Sequence, residues 1–106
     1  MKSFRTLDQA KKDIQIIQQY INLIENYEPK DLRQQVIHTY ALLGNITKTA
    51  EYLNKHGYSI EAHEITRIIT STPPREDLLH KQIKQLYLKK TLPRRKRARG
   101  MYKHLK

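Results

Sequence analysis

The chain has 106 residues, 21 Lys or Arg against 10 Asp or Glu, and a formal net charge of +11. That length suits one domain, and a balance this basic points to an anionic partner. With no cysteine there is neither a disulfide nor a thiolate metal site, and no apolar stretch approaches the roughly 20 residues of a membrane span.

The opening Met1-Lys2-Ser3-Phe4-Arg5 is not followed by the apolar core of a secretory signal, so a cytoplasmic, nucleoid-associated location is expected. Thr6 is an N-cap residue, and the spacing after it predicts a helix over 7–27. Leu7, Ala10, Ile14, Ile17, Ile21 and Ile24 alternate at steps of three and four, the a and d positions of a short two-stranded seam. A second row, Ile16, Tyr20, Leu23 and Tyr27, follows the same rhythm. One row can pack on the domain, which leaves the other for a homodimer through the helix from Leu7 to Tyr27, or both can be covered within one chain.

Pro29 suits the first turn of a second helix, where its missing N–H costs nothing. Leu32, Val36, Tyr40 and Leu43 form its apolar stripe, and Gly44 ends it. Asn45 then caps a third helix, in which Ala50 is small at a helix crossing and Leu53 fills the space one turn later. His56-Gly57-Tyr58 supplies a turn, with Gly57 able to take positive φ. Ser59 caps a fourth helix over 59–70, whose Ala62, Ile65 and Ile69 fall on one inward stripe.

Gly44-Asn45, Thr47, Lys48, Ala50, Leu53 and Ile60 occupy the places and spacing of the Fis-type activator domain, and this stretch resembles its helix-turn-helix. Asn54 stands where that family has its turn glycine, and Lys55 where it has an apolar residue. The Asn-x-Thr-x-x-Ala start and Gly57-Tyr58-Ser59 are also similar to small terminase subunits of phages, with the turn three residues further along. The resemblance covers about a third of the chain. It implies a trihelical unit that places the fourth helix in a DNA major groove. Ser59, His63, Thr66, Arg67 and Thr70 would then lie at the DNA, with Arg67 matched to a guanine edge. Thr47 and Lys48 would meet phosphate. Glu61 and Glu64 oppose this face, since carboxylates are repelled by DNA.

Thr70-Ser71-Thr72-Pro73-Pro74 is a break, after which a last helix over 76–90 carries Leu79, Ile83 and Leu86 with Leu78 and Tyr87 beside them. Pro93 is expected to separate this helix from the basic run at the end of the chain. Residues 1–88 hold 12 Lys or Arg and all 10 acids, so residues 89–106 hold 9 basic residues and no acid. Repulsion within that run, and its scarcity of apolar groups, predict a flexible arm over 91–106 beyond a helical domain over 1–90. Arg94, Arg95, Lys96, Arg97 and Arg99 are its densest part and suit phosphate, which they would bind with strong salt dependence.

Catalytic chemistry finds little support. His63-Glu64-Ile65-Thr66-Arg67 has the outline of a zinc-protease helix, but Arg67 replaces the second histidine and a cation cannot ligate zinc. The five histidines are scattered, no Gly-rich phosphate loop is present, and Ser3, Ser59 and Ser71 sit at predicted termini or linkers. The expectation is therefore an all-α protein: a trihelical helix-turn-helix with an extra N-terminal helix, a C-terminal helix and a basic disordered tail. It would be a regulator or phage accessory factor that binds double-stranded DNA, without enzymatic activity, cofactor, metal or membrane partner. The alternatives are a terminase-like DNA-recognition protein and an RNA-binding or ribosome-associated protein in which the arm does the binding.

Overall fold

A computed structural model describes the backbone of residues 6–104 and the side chains of residues 6–93. Five helices follow in order: α1 (Leu7–Glu25), α2 (Leu32–Leu43), α3 (Ile46–Lys55), α4 (Ala62–Thr70) and α5 (Leu78–His104). Among the described residues there is no strand, as the absence of alternating patterning requires.

Side-chain caps set several of the boundaries. Thr6 Oγ1 accepts the Gln9 N–H at 3.2 Å, which fixes the start of α1 as expected. The helix stops at Glu25 rather than Tyr27, which lies beyond its end and reaches across to Asp77. Pro29 does not open α2. Asp31 is the cap instead, accepting from the Gln34 N–H at 2.8 Å, while Gln34 Oε1 reaches back to the Lys30 N–H. A carboxylate that satisfies a free helical N–H outcompetes a proline whose only merit is a compatible φ.

The core is formed by Val36, Ile37 and Tyr40 of α2, Leu53 of α3, Ile60, Ile65 and Ile69 in and before α4, and Leu79 and Ile83 of α5. Burying one such aliphatic side chain contributes about 1.5–3 kcal/mol. The apolar stripes are turned slightly from their expected positions. On α2, Leu32 and Leu43 are exposed, and Ile37 and Thr39 join Val36 and Tyr40 inside. On α5, Leu78 and Leu86 are exposed while His80 is fully buried beside Leu79 and Ile83, with Tyr87 packed at the edge. α1 lies against α2 and α5 and away from α3 and α4.

Asp77 ties the chain after α1 and the first turn of α2 to the start of α5. Its Oδ1 accepts the His80 N–H at 3.0 Å in the manner of an N-cap. Its Oδ2 accepts the Tyr27 hydroxyl at 2.8 Å and Arg33 Nη1 at 2.9 Å. Arg33 Nη1 also lies 3.0 Å from His80 Nδ1, and His80 Nε2 lies 3.2 Å from the Ile69 carbonyl. A carbonyl only accepts, so Nε2 carries the proton and Nδ1 accepts from Arg33: His80 is neutral. Burial and the Arg33 charge hold its pKa below the usual histidine value against the pull of the Ile69 carbonyl. Burial alone would raise the Asp77 carboxyl, but the His80 N–H, Arg33 and Tyr27 outweigh it and hold it below its ordinary value.

The backbone of α5 runs on through Pro93 to His104, where a helix end at Pro93 and an arm without regular structure were expected. A proline keeps a helix-compatible φ and forfeits one hydrogen bond, here to the Lys89 carbonyl. The residues around it are mostly Leu, Lys, Arg and Ala, which are strong helix formers.

Candidate nucleic-acid interface

The corner between α2 and α3 is built by two residues. Gly44 adopts φ +67°, which L side chains rarely tolerate, and its N–H bonds to the Tyr40 carbonyl at 2.7 Å to close α2. Asn45 Oδ1 then accepts the Lys48 N–H at 2.9 Å and caps α3. Thr49 is fully buried at this crossing and donates to the Asn45 carbonyl at 2.7 Å. Ala50, expected at the crossing, is half-buried and packs at the edge of the core. Leu53 is buried as expected.

Between α3 and α4 the chain takes six residues, 56–61, rather than a three-residue turn. Gly57 supplies φ +93° at the bend, which lets Asn54 remain helical where a turn glycine was the comparison. Asn54 has a different role. Its Nδ2 donates to the Ala50 carbonyl at 2.7 Å and to the Ile60 carbonyl at 2.8 Å, and its Oδ1 accepts the Ile60 N–H at 3.3 Å. This clasp pins Ile60 into the core before α4 begins. Ser59 does not cap α4, because the helix starts three residues later; Glu61 is in the cap position and makes no side-chain cap bond.

Ile65 and Ile69 of α4 are fully buried as the spacing requires, but Ala62 is exposed. Arg67 and His63 are exposed on the outward side with Glu61, and Glu64 is half-buried. Thr66 and Thr70 are half-buried, and their hydroxyls donate back to the Ala62 and Thr66 carbonyls at 3.3 and 2.8 Å. Such hydroxyls keep a lone pair to accept from a base but have no proton left for phosphate. His63 Nδ1 lies 3.2 Å from Glu61 Oε2. Glu61, His63 and Glu64 each bring a ligand atom within 4.8 Å of the others. These groups lie on the surface at the positive end of a helix, which disfavours a cation.

Thr47 and Lys48 are exposed at the start of α3. α5 adds a cation there that the sequence did not single out, since Lys90 Nζ donates to the Gly44 carbonyl at 3.1 Å. A polar recess of about 310 Å³ opens at this corner, lined by residues that include Asn45, Ile46, Thr47, Lys90 and Thr91. Free N–H groups of a helix start, together with nearby lysines, form an anion-receptive corner. The side chains of Arg94, Arg95, Lys96, Arg97 and Arg99 lie outside the described residues, but their backbone continues the helix that carries Lys90. A second, larger cleft of about 800 Å³ lies between α1, α2 and the start of α5, bounded by Leu23, Tyr27, Leu78 and Leu79 and by several amide side chains.

No protein-family model, curated protein or solved structure matches this chain.

Proposed function

We propose that the chain binds duplex DNA as a helix-turn-helix protein, with α4 in the major groove and phosphates held by the α3 start and the basic end of α5. The observation that supports this reading best is the corner at Gly44-Asn45. There the Asn45-capped start of α3, with Lys48 in its first turn, meets Lys90 at the base of the most basic segment of the chain. Duplex DNA presents paired features that suit these parts: a line of phosphates for the lysines and arginines, and a groove wide enough for one helix. On α4, Arg67 is the residue for base contact and His63 stands beside it. Ser59, Thr66 and Thr70 have lesser parts, Ser59 through the backbone before α4 and the threonines as acceptors. Glu61 and Glu64 restrict the approach, and a cytosine amine is the one base-edge donor that either carboxylate suits.

Selection of bound sequences from a random duplex pool tests this reading. An enriched motif, bound in preference to RNA of equal length at matched salt, is the expected result. Equal affinity for duplex RNA, or a pool that never enriches, would leave only phosphate attraction and overturn groove readout. An enriched motif that recurs at phage DNA ends would favour the terminase-like recognition proteins over regulators.

A further inference from the structure

The first two thirds of α1 leave their large aliphatic side chains exposed. Tyr20, Leu23, Ile24 and Tyr27 hold the helix to the core from its last turns. Leu7, Ile14, Ile16 and Ile17 are between 57% and 70% exposed, and Ile21 is exposed as well. Leu7, Ile14, Ile17 and Ile21 lie along one seam, and Ile16 belongs to the row that meets the core further along. Several large aliphatic side chains in one contiguous patch are at the upper end of what a monomer leaves exposed.

Charge indicates what covers the patch. α1 carries Asp8, Asp13 and Glu25 against Lys11 and Lys12, a net of −1, and is the one acidic helix of the five. Residues 26–106 carry 17 basic and 7 acidic residues, a net of +10. A nucleic acid would avoid this helix, and an anionic membrane draws helices rich in Lys and Arg, whereas this one sets only Lys11 and Lys12 against three acids. A second copy of the chain is suited to it. Like molecules so strongly basic must meet at their least basic surface, and a seam of a and d positions is complementary to itself about a two-fold axis. We infer that α1 pairs with α1 of a second copy, with Leu7, Ile14, Ile17 and Ile21 at the centre of the contact. Because α1 touches neither α3 nor α4, the pairing leaves both copies of α4 uncovered. The inference stands whatever α4 contacts.

Sedimentation of the full chain across the micromolar range provides the test. The expected mass is twice the 12.7 kDa of one chain. Ile14→Asp with Ile17→Asp places carboxylates in the seam at positions the core does not use, and should weaken self-association about a hundredfold while α2 to α5 stay folded. A wild-type chain that sediments at 12.7 kDa throughout, or a double variant as dimeric as the parent, would overturn the pairing. Because the chain has no cysteine, Ile17→Cys gives an independent readout: mild oxidation should link two copies through it, whereas Lys55→Cys on α3 should link few. Equal linking through both positions would also overturn it.

Discussion

His80 shows how a single side chain makes stability depend on pH. Its folded-state pKa lies below the usual 6.5, because burial and Arg33 both oppose a charge there. Between that depressed value and 6.5 the unfolded chain binds a proton that the folded chain refuses, so stability falls as pH falls through this window. Thermal melting should thus be flat from neutrality to about pH 9 and drop progressively below about pH 6.5, with the Asp77 contribution following below its own unfolded value near 3.8. In His80→Gln an amide can still donate towards Ile69 and accept from Arg33. That variant should lose the first drop in Tm and keep the second; a slope that survives unchanged would assign the titration to another group. At the surface, Arg67→Ala tests the role of α4 without touching the core, and stability should change by no more than about 0.5 kcal/mol. On an enriched DNA site the loss should be roughly 1–3 kcal/mol with relaxed choice at one base pair, whereas a phosphate contact would weaken all duplexes alike. The ratio of specific to random affinity at one salt concentration distinguishes the two outcomes.

Among the elements, α5 changes how the basic segment is to be removed. Lys90 is bonded to Gly44, and Thr91 and Leu92 are half-buried, so a cut after Pro93 spares the body while a cut at 91 does not. Deletion of 94–106 removes 7 basic residues. Each neutralised phosphate contributes about −0.9 to the salt slope of log affinity, and not every cation needs a partner, so the slope should shrink by roughly 3 to 6 units. A truncated chain that binds duplex with its parent's slope would remove the segment from the interface. Much of this architecture was legible in the sequence because local chemistry decides it: Thr6 and Asn45 cap, Gly44 turns, and Ile65 and Ile69 face inward. What was not legible depends on distant partners. Nothing near His80 in sequence announces that Arg33 and the Ile69 carbonyl will satisfy its ring. Likewise Asn54 resembles a poor turn residue until the Ile60 backbone is seen folded against it. Lys90 at the α3 corner is of the same kind, since 46 residues separate it from Gly44. Pro93 misled for another reason, because a helix break is a common response to an interior proline but only one of those its geometry permits.

For the molecule as a whole, α2 to α5 pack around one core while α1 is fastened mainly at its end, through Tyr27 and the residues just before it. The fastening is long-range: Tyr27 and Asp77 are 50 residues apart in the chain, and Arg33 and Asp77 are 44 apart. By contrast the Asn54 clasp and the caps of α2 and α3 close loops of six residues or fewer. Short loops cost little entropy to close and long ones cost more, which implies an order of events during folding. On that basis the α3–α4 unit should form early and the Asp77 junction should close after the main barrier. Asp77→Asn, which retains a capping oxygen but gives up the Arg33 charge, should therefore leave the refolding rate nearly unchanged and put most of its destabilisation into faster unfolding. In a chevron plot the unfolding arm should rise while the folding arm stays in place. Slowed refolding would instead place the Asp77 junction within the nucleus.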